Sequence, residues 1–340
     1  MLVTGASGFV GGAIARRLLA GGRRVRVLCR SAVPDLESRG AEWLGVDLAD
    51  TPAVRSACEG MGTVFHVGAK VGIWGRLADF RAANVEGTQA LINGCRDFEV
   101  PRMVFTSSPS VVFNGRPHQG ADESLPLGER IPVHYAATKA RAEAAVLRAD
   151  DPGGLRTVAL RPHLVWGPGD TNLIPRVVAR ARNGRLRIVG DGRNRVDLTH
   201  IDNVVDAHLL AESALRDRPE TVGGRAYFIT NDEPVELWRW INHLLDRLGI
   251  APVERHISLR AAFGLGAACE AVWSAFRLRG EPPMTRFVAS ELAMDHWFSI
   301  EQARRDLNYH PRVSMAEGLE RFLSGPDQQP LPPGLLARGE

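Results

Sequence analysis

Short apolar runs alternate with amphipathic segments along the first half of the chain. Glycines bound many of the runs, and the segments between them repeat apolar positions at helical spacing. This alternation is typical of βαβ units, whose strands are covered on both faces and can be apolar throughout. The predicted strands are 1–4, 24–29, 63–67, 102–106 and 157–160, and the predicted helices include 11–20, 84–96 and 135–148.

The pattern predicts an α/β protein with a Rossmann-type, doubly wound parallel sheet and a smaller, mostly helical C-terminal lobe. We expect residues 1–165, joined by 196–231, to form the sheet domain, and residues 166–195 and 232–324 to form the smaller lobe. Residues 325–340 are rich in proline and glycine, so we expect a loosely ordered tail. Later elements are predicted at 187–189, 202–213, 226–230 and 315–323.

A glycine-rich loop follows the first predicted strand. It has the form GxxGxxG, with Gly5, Gly8 and Gly11, and it opens an amphipathic helix. Glycines at these points let the backbone approach a pyrophosphate, whose charge is stabilised at the helix N-terminus. A glycine triplet alone also occurs in ordinary tight turns, but the strand before it and the helix after it favour a dinucleotide-binding loop.

The second predicted strand ends without the acidic residue that binds the ribose 2′-hydroxyl of NAD. Arg30 and Ser31 stand there instead, and both can bind a 2′-phosphate. We therefore predict NADP(H) in preference to NAD(H), although Arg30 could also be an ordinary surface arginine. Asp47 follows the next short strand, where it can reach the adenine.

The most informative feature of the composition is the small number of lysines. The 340 residues include 42 basic and 39 acidic side chains, a net charge of +3 that gives no reason to expect a nucleic-acid partner. Only Lys70 and Lys139 are lysines, so each is a candidate for a role that needs an ammonium group. The four cysteines form no CxxC pair or metal-ligand spacing, so we expect no metal site. With no signal peptide or spanning segment apparent, we expect a cytoplasmic protein.

The catalytic candidates are a tyrosine and a lysine one helical turn apart. Tyr135 and Lys139 are at i and i+4, so their side chains share a helix face. An ammonium beside a phenol stabilises the phenolate and lowers the tyrosine pKa, which favours acid–base catalysis. Such a pair alone is more often an exposed surface pair, but serines follow the strand 102–106, where a hydroxyl can hold a substrate oxygen.

Together these motifs resemble the extended short-chain dehydrogenase/reductases, from Met1 to about Leu323. The matching stretches are the glycine loop, Asp47-Leu48, His66-Val67-Gly68-Ala69, Asn84, Thr106-Ser107-Ser108, the Tyr135/Lys139 pair, and Arg161-Pro162 leading to Gly167-Pro168-Gly169. Members of the family usually have alanine where this chain has Gly68. The resemblance implies cofactor contacts from Gly5, Ser7, Gly8, Phe9, Val10, Arg30, Asp47, Leu48, Val67, Gly68, Ala69, Lys70, Tyr135, Lys139, Pro162 and Val165.

The same resemblance implies the catalytic roles. Tyr135 would donate a proton, Lys139 would lower the tyrosine pKa and hold the nicotinamide ribose, and Ser108 would orient the carbonyl. Ser110 is the alternative serine. Residues 1–165 and 196–231 are then expected to bind NADP, and residues 166–195 and 232–324 to bind the substrate.

Within that family the sequence is most similar to the 3β-hydroxysteroid dehydrogenase-like branch, through residues 64–75, 160–170 and 196–203. These stretches look most like the 2-alkyl-3-oxoalkanoate reductases of bacterial long-chain olefin and β-lactone biosynthesis. The resemblance implies that NADPH reduces the 3-keto group of a β-keto acid with two alkyl chains.

Such a lipid-like substrate needs an apolar cleft and a cation for its carboxylate. Lys70 follows a strand end, where it could contact the carboxylate or a cofactor phosphate, or be an ordinary loop lysine. Trp74 and Trp166 follow predicted strands and are candidates for the pocket wall. His163 and His200 are further candidates, although a lone histidine is more often structural.

The apolar segment 256–279 has three interpretations. It could pack on the core, which is the commonest role of such a helix, cover the alkyl chains as a lid, or lie on a membrane surface or a pathway enzyme. The last interpretation would make the cytoplasmic protein peripherally membrane-associated. We also expect a homodimer.

Three other functions stay open at this level. One is a 3β-hydroxysteroid or sterol-carboxylate dehydrogenase that uses NAD(P), although Arg30 argues against NAD. A sugar-nucleotide epimerase or dehydratase is disfavoured because the C-terminal lobe is apolar and Ser108-Pro109-Ser110 offers no additional acid–base pair. An NADPH-binding sensor without turnover would not need the Tyr135/Lys139 pair.

Overall fold

The computed structural model describes residues 1–128 and 131–325. Its strands are β1 (Leu2–Thr4), β2 (Arg26–Leu28), β3 (Glu42–Leu44), β4 (Val64–His66), β5 (Arg102–Thr106), β6 (His118–Ala121), β7 (Arg156–Pro162), β8 (Val165–Trp166), β9 (Ile188–Val189), β10 (Arg195–Val196), β11 (Thr199–His200), β12 (Arg225–Ile229), β13 (Val235–Glu236), β14 (His256–Ile257) and β15 (His296–Phe298). Its α-helices are α1 (Phe9–Ala20), α2 (Pro34–Ser38), α3 (Thr51–Ser56), α4 (Leu77–Arg81), α5 (Gly87–Asp97), α6 (His134–Arg148), α7 (Leu173–Arg182), α8 (Ile201–Asp217), α9 (Pro219–Val222), α10 (Leu237–Arg247), α11 (Leu259–Ala275), α12 (Arg286–Glu291), α13 (Glu301–Leu307) and α14 (Met315–Ser324). A π-helical turn spans Ala82–Glu86 and a 3₁₀ turn spans Pro109–Val112.

Seven parallel strands form the main sheet, in the order β12-β7-β5-β4-β1-β2-β3. The chain starts at β1, runs outward to β3, and then returns to β4 on the other side of β1. The strand order therefore reverses between β1 and β4, and ligands bind at such a point, outside the carboxyl ends of the strands. The predicted doubly wound α/β fold is confirmed.

Helices cover both faces of this sheet because its strands present apolar side chains on both. Val3 packs with Ile14 of α1 and Val205 of α8 on one face. Leu2, its neighbour in β1, packs with Leu91 of α5 on the other face. This double burial explains why the strands appear in the sequence as continuous apolar runs.

The smaller lobe has its own core, which includes Trp166, Trp238 and Leu244. It also has a four-stranded sheet in the order β13-β10-β15-β6, which the sequence analysis did not predict. Each of its strands has two to four residues and little apolar patterning, so neither period nor run length reveals them.

The apolar helix α11 packs on the molecule by a narrow face only. Ala262 and Gly266 are its buried residues, and a Cβ on Gly266 would lie 2.6 Å from backbone atoms of Thr285 and Arg286 at the start of α12. Most other α11 side chains are exposed. Packing on the core therefore accounts for one face of this helix. It does not explain why the exposed faces also carry apolar side chains.

Within the described residues, no helix is both long enough and apolar enough to cross a bilayer. The last described helix, α14, packs on the smaller lobe through Met315 and Leu319. The predicted tail, 325–340, lies outside the described residues except for Gly325, which follows α14.

Candidate active site

Two adjoining cavities flank the carboxyl ends of the main-sheet strands. The first is a groove of about 790 Å³ that runs from the loop after β1 to the beginning of α6. The second, of about 1830 Å³, lies between α11, α12 and the loop after β4. Asp79 of α4 lines both cavities, so they meet beside this helix.

The wall of the groove is built from closely packed glycines. Gly5 has a φ of +69°, and a Cβ on it would lie 2.6 Å from the Cα of Gly68. Gly8 is the N-cap of α1 and provides no side-chain cap, so the first amides of the helix are available to an anion. Ser7, Phe9, Val10 and Gly11 line the same wall. The backbone therefore leaves room for the pyrophosphate that the sequence motif predicts.

The remaining residues that the sequence analysis assigned to the cofactor also line this groove. They are Arg30, Asp47, Leu48, Val67, Gly68, Ala69, Lys70, Tyr135, Lys139, Pro162 and Val165. The buried hydroxyl of Ser107 reaches the groove without a hydrogen-bond partner among the described residues, so it is available to a polar ligand. The shape and these open polar groups fit a dinucleotide.

Arg30 stands at the exposed end of the groove, close to Asp47. A guanidinium nitrogen lies 3.8 Å from the Asp47 carboxylate, and both side chains are half or more exposed. An exposed ion pair at this distance contributes little, so Arg30 is available to a stronger anion.

A chain of hydrogen bonds begins at the glycine loop, at the end of β1. The Thr4 hydroxyl oxygen accepts the amides of Val67 and Gly68, so its own proton is donated to Nδ1 of His66, 2.9 Å away. His66 is then protonated at Nε2 and donates to the Thr88 hydroxyl, at 2.8 Å. Burial, aided by the charge of Lys139, keeps the pKa of His66 well below its ordinary range, so the ring is neutral.

Asn84 extends these contacts to the catalytic helix. Thr88 donates to the Asn84 carbonyl, and the Asn84 side chain binds both the amide and the carbonyl of Lys70, at 2.7 and 3.0 Å. Its Nδ2 also donates to the Thr138 hydroxyl of α6. The ends of β1 and β4 are thereby fixed relative to α6. His66 and Asn84 are motif positions in the sequence, but their spacing does not reveal this network.

Ser108, Tyr135 and Lys139 all line the groove. Ser108 follows β5 and caps the 3₁₀ turn, and its hydroxyl oxygen lies 2.9 Å from that of Ser110. Tyr135 and Lys139 are one turn apart on α6. The structure brings the three predicted residues together, and their catalytic roles remain predictions.

Tyr135 is a protonated phenol at neutral pH. Burial raises its pKa to about 12, although a hydrogen bond with Ser108 opposes part of this rise. That Lys139 lowers this pKa stays a prediction; in the structure its ammonium contacts the Thr106 carbonyl. A neutral phenol is the form that donates a proton to a carbonyl oxygen.

Lys139 lies in a nearly closed site beneath the groove. Its Nζ donates to the Thr106 carbonyl at 2.6 Å and lies 3.9 Å from the centre of the Phe105 ring. Burial lowers the pKa of Lys139 to about 7, while the negative charge of Glu143 opposes this change. Glu143 in turn forms a buried ion pair with Arg161.

Lys70, Trp74 and Ser110 lie near the site, as predicted for substrate candidates. Lys70 lines the groove, with its Nζ 3.9 Å from the Asp79 carboxylate, and Trp74 lines the large cavity. Ser110 contacts Ser108.

Trp166, His163 and His200 line neither of these two cavities, and their role as substrate residues stays a prediction. Trp166 is wholly buried in the smaller lobe. His200 caps α8 by accepting the amide of Asp202, and His163 lies buried with Nε2 2.6 Å from Nδ1 of His296. In sequence, a side chain that follows a strand can belong either to a pocket wall or to a core layer.

Arg76 and His134 line the large cavity and were not singled out from the sequence. His134 directly precedes Tyr135, and its ring lies 6.2 Å from that of Phe80. Arg76 is the N-cap of α4, one turn before Asp79, and has no carboxylate partner among the described residues. Their only sequence signal was proximity to Tyr135 and Trp74.

This fold, its glycine-lined groove and the Ser108, Tyr135 and Lys139 cluster define an oxidoreductase of the short-chain dehydrogenase type. Residues 2–260 match the model of the 3-beta hydroxysteroid dehydrogenase/isomerase family, and the chain belongs to that family. It is 49% identical over 325 residues to a 2-alkyl-3-oxoalkanoate reductase of Stenotrophomonas maltophilia (strain K279a), covering 95% of this chain and 98% of the relative.

A second 2-alkyl-3-oxoalkanoate reductase, from Shewanella oneidensis, is 40% identical over 326 residues, covering 94% of this chain and 84% of the relative. Among solved structures, MoeE5 in complex with UDP-glucose and NAD has a TM-score of 0.72 and 26% identity, covering 95% of this chain and 96% of that chain. These similarities support a nicotinamide cofactor and a reductase role.

Proposed function

We propose that the protein uses NADPH to reduce the 3-keto group of a long-chain 2-alkyl-3-oxoalkanoic acid to the 3-hydroxy acid, in long-chain olefin or β-lactone biosynthesis. The observation that carries the proposal is the position of Tyr135, on the wall of the dinucleotide groove and directly after His134 of the large cavity. The names of the two reductase relatives support the substrate class.

The large cavity suits a substrate with two alkyl chains. Burying apolar surface stabilises a bound ligand by about 25 cal/mol per Å², so such chains need an extended apolar wall. Apolar side chains provide that wall: Ile73, Trp74, Phe113, Phe263, Trp273, Leu278, Phe287 and Met294.

Arg76 is the cation that we assign to the substrate carboxylate. It lines the large cavity beside the junction with the groove, and its guanidinium has no acidic partner among the described residues. Arg286, on the same cavity wall, is bound to Glu270. An arginine can bind a carboxylate through two parallel hydrogen bonds, which would fix the acid end relative to the ketone.

The residues of the site divide the chemistry between them. Bound NADPH supplies a hydride to the ketone carbon. Neutral Tyr135 donates its proton to the ketone oxygen, and Ser108 holds that oxygen by a hydrogen bond. The phenolate left on Tyr135 is stabilised by the nearby ammonium of Lys139, whose position is fixed by the Thr106 carbonyl.

The test is the loss of absorbance at 340 nm, with NADPH and NADH each offered with a 2-alkyl-3-keto acid and a 3-keto steroid. We expect turnover of the keto acid with NADPH. Activity confined to the steroid with NADH would overturn both the substrate and the cofactor assignments.

The second candidate function is oxidation of a 3β-hydroxysteroid or sterol carboxylate, which the family match favours. The large cavity can also hold a fused ring system. Arg30 at the ribose end of the groove disfavours NAD, the usual acceptor for such an oxidation. The reverse assay, with a 3β-hydroxysteroid and NAD⁺, distinguishes the two.

A further inference from the structure

Exposed apolar side chains are concentrated on and near α11, which forms part of the wall of the large cavity. Among the described residues, eight large apolar side chains are strongly exposed, and five of them lie on α11 or the turn after it: Phe263, Leu265, Val272, Phe276 and Leu278. Val71 and Leu77 lie on the segment that follows β4. Only Phe98, after α5, lies on neither segment. We call the seven clustered residues the cavity rim.

A single carboxylate joins the two parts of the rim. Glu281, in the turn between α11 and α12, accepts the amide of Ile73 at 3.1 Å and a guanidinium hydrogen bond from Arg176 at 3.1 Å. Ile73 and Glu281 also line the large cavity. Phe263 and Leu278 of the rim line the large cavity, whereas Leu265, Val272 and Phe276 share the outward face of α11.

The charge around the rim is positive and uncompensated. Arg260, Arg277 and Arg279 are exposed, and their guanidinium groups have no ion pair or hydrogen-bond partner among the described residues. The neighbouring acids are engaged, because Glu270 binds Arg286 and Glu281 binds Arg176. Apolar side chains bordered by free arginines are the arrangement that binds the interface of an anionic bilayer.

We propose that the cavity rim docks the protein on an anionic lipid bilayer. The outward face of α11, with Leu265, Val272 and Phe276, would insert among the acyl chains, while the arginines bind lipid phosphates. Phe263 and Leu278 of the rim line the large cavity, so a docked rim would hold this cavity near the membrane, where a lipid-like substrate could enter it. This transfer rests on the proposed function, whereas the docking does not.

The experiment is co-sedimentation of the full chain with large vesicles of phosphatidylcholine alone or mixed equally with phosphatidylglycerol. We expect binding to the anionic vesicles that weakens in high salt, and little binding to the neutral ones. Phe276→Glu should weaken binding at least about tenfold, because it places a carboxylate in the inserted face. Arg260→Glu should also weaken it.

Phe98→Glu is the matched control, because it makes the same change at an exposed phenylalanine outside the rim and should leave vesicle binding unchanged. Phe276 is 73% exposed and lines neither cavity, so Phe276→Glu should retain the fold and the turnover of a short, water-soluble keto acid. Vesicle binding without keto acid turnover would contradict only the proposed function.

Three results would overturn the docking proposal. The first is no binding of the wild type to anionic vesicles, and the second is equal loss of binding in Phe98→Glu and Phe276→Glu. The third is a change from dimer to monomer in Phe276→Glu without loss of vesicle binding, measured by light scattering, which would assign the rim to contact between copies.

Discussion

Two groups on the groove wall have pKa values displaced in opposite directions by the same cause. Burial raises the pKa of Tyr135 to about 12 and lowers that of Lys139 to about 7, because it disfavours the charged form of each. The sequence located both side chains correctly, and the lowering of the tyrosine pKa by the lysine stays a prediction. Helical spacing does not reveal the Thr106 carbonyl that binds Lys139.

Replacing Tyr135 tests the proton donor directly. Tyr135→Phe removes the hydroxyl and keeps the ring, so we expect turnover to fall by about 10²–10⁴-fold, the usual contribution of a general acid. Steady-state rates give this number, and quenching of protein fluorescence by NADPH should show nearly unchanged cofactor affinity. Turnover within a few-fold of the wild type would remove Tyr135 from the mechanism.

Arg30 tests the cofactor preference. Arg30→Asp replaces the guanidinium with a carboxylate that repels a 2′-phosphate and can bind a 2′-hydroxyl, so the ratio of kcat/KM for NADPH to that for NADH should fall by at least about 100-fold. Arg39→Asp, at an exposed arginine outside the groove, is the control. An unchanged ratio in Arg30→Asp would show that Arg30 is an ordinary surface residue.

At the scale of elements, α11 shows how far a sequence pattern can be interpreted. Its apolar residues predicted a helix, and the helix is present. The spacing of those apolar residues, however, did not identify the helix face that packs on the rest of the protein. The packed face is defined by the small residues Ala262 and Gly266, which let α12 approach closely. A glycine in an apolar helix looks the same in sequence whether it is packed or exposed.

Gly264 and Gly266 allow a matched test on this helix. A Cβ on Gly266 would meet the α12 backbone, whereas a Cβ on Gly264 would meet nothing within 4 Å. Gly266→Ala should therefore push α11 away from α12, destabilise the protein by about 1–3 kcal/mol and raise the KM of the keto acid more than that of NADPH. Gly264→Ala should stabilise the helix by up to about 1 kcal/mol.

Urea unfolding and steady-state kinetics on both variants measure these changes. Equal stability changes in the two would mean that α11 and α12 are not in close contact.

At the scale of the whole molecule, the sheet was predictable and the arrangement of the smaller lobe was not. Six strands of the main sheet were predicted with their bounds, because each is a short apolar run, so pattern alone located them. The smaller lobe is assembled from segments distant in sequence, such as β6 and β15, whose pairing places His118 beside His296. Short strands paired over that separation leave no local signal, and the sequence likewise did not show that Trp166, His163 and His200 lie away from both cavities.

The stability of the whole chain should depend on the buried ammonium of Lys139. Between about pH 7 and its ordinary pKa, the unfolded chain holds a proton that folded Lys139 has released, so stability rises with pH in this window. From pH 7 to 9 the lowered pKa of Lys139 adds about 2 kcal/mol to the free energy of unfolding. Lys139→Met should remove that part of the rise in the free energy of unfolding, measured in urea at both pH values. Parallel pH profiles for the two proteins would contradict the lowered pKa.

The location of Lys70 and Lys139 also makes the chain unusual as a substrate for amine chemistry. They are its only lysines, and both line the groove. The Lys70 side chain is 41% exposed, whereas Lys139 is buried. A reagent that acylates ε-amino groups can therefore modify lysine mainly at Lys70, and mass spectrometry of that labelled peptide would report occupancy of the cofactor site by protection. Coupling the protein to a solid support through its lysines would block the groove, whereas its many surface arginines would be untouched.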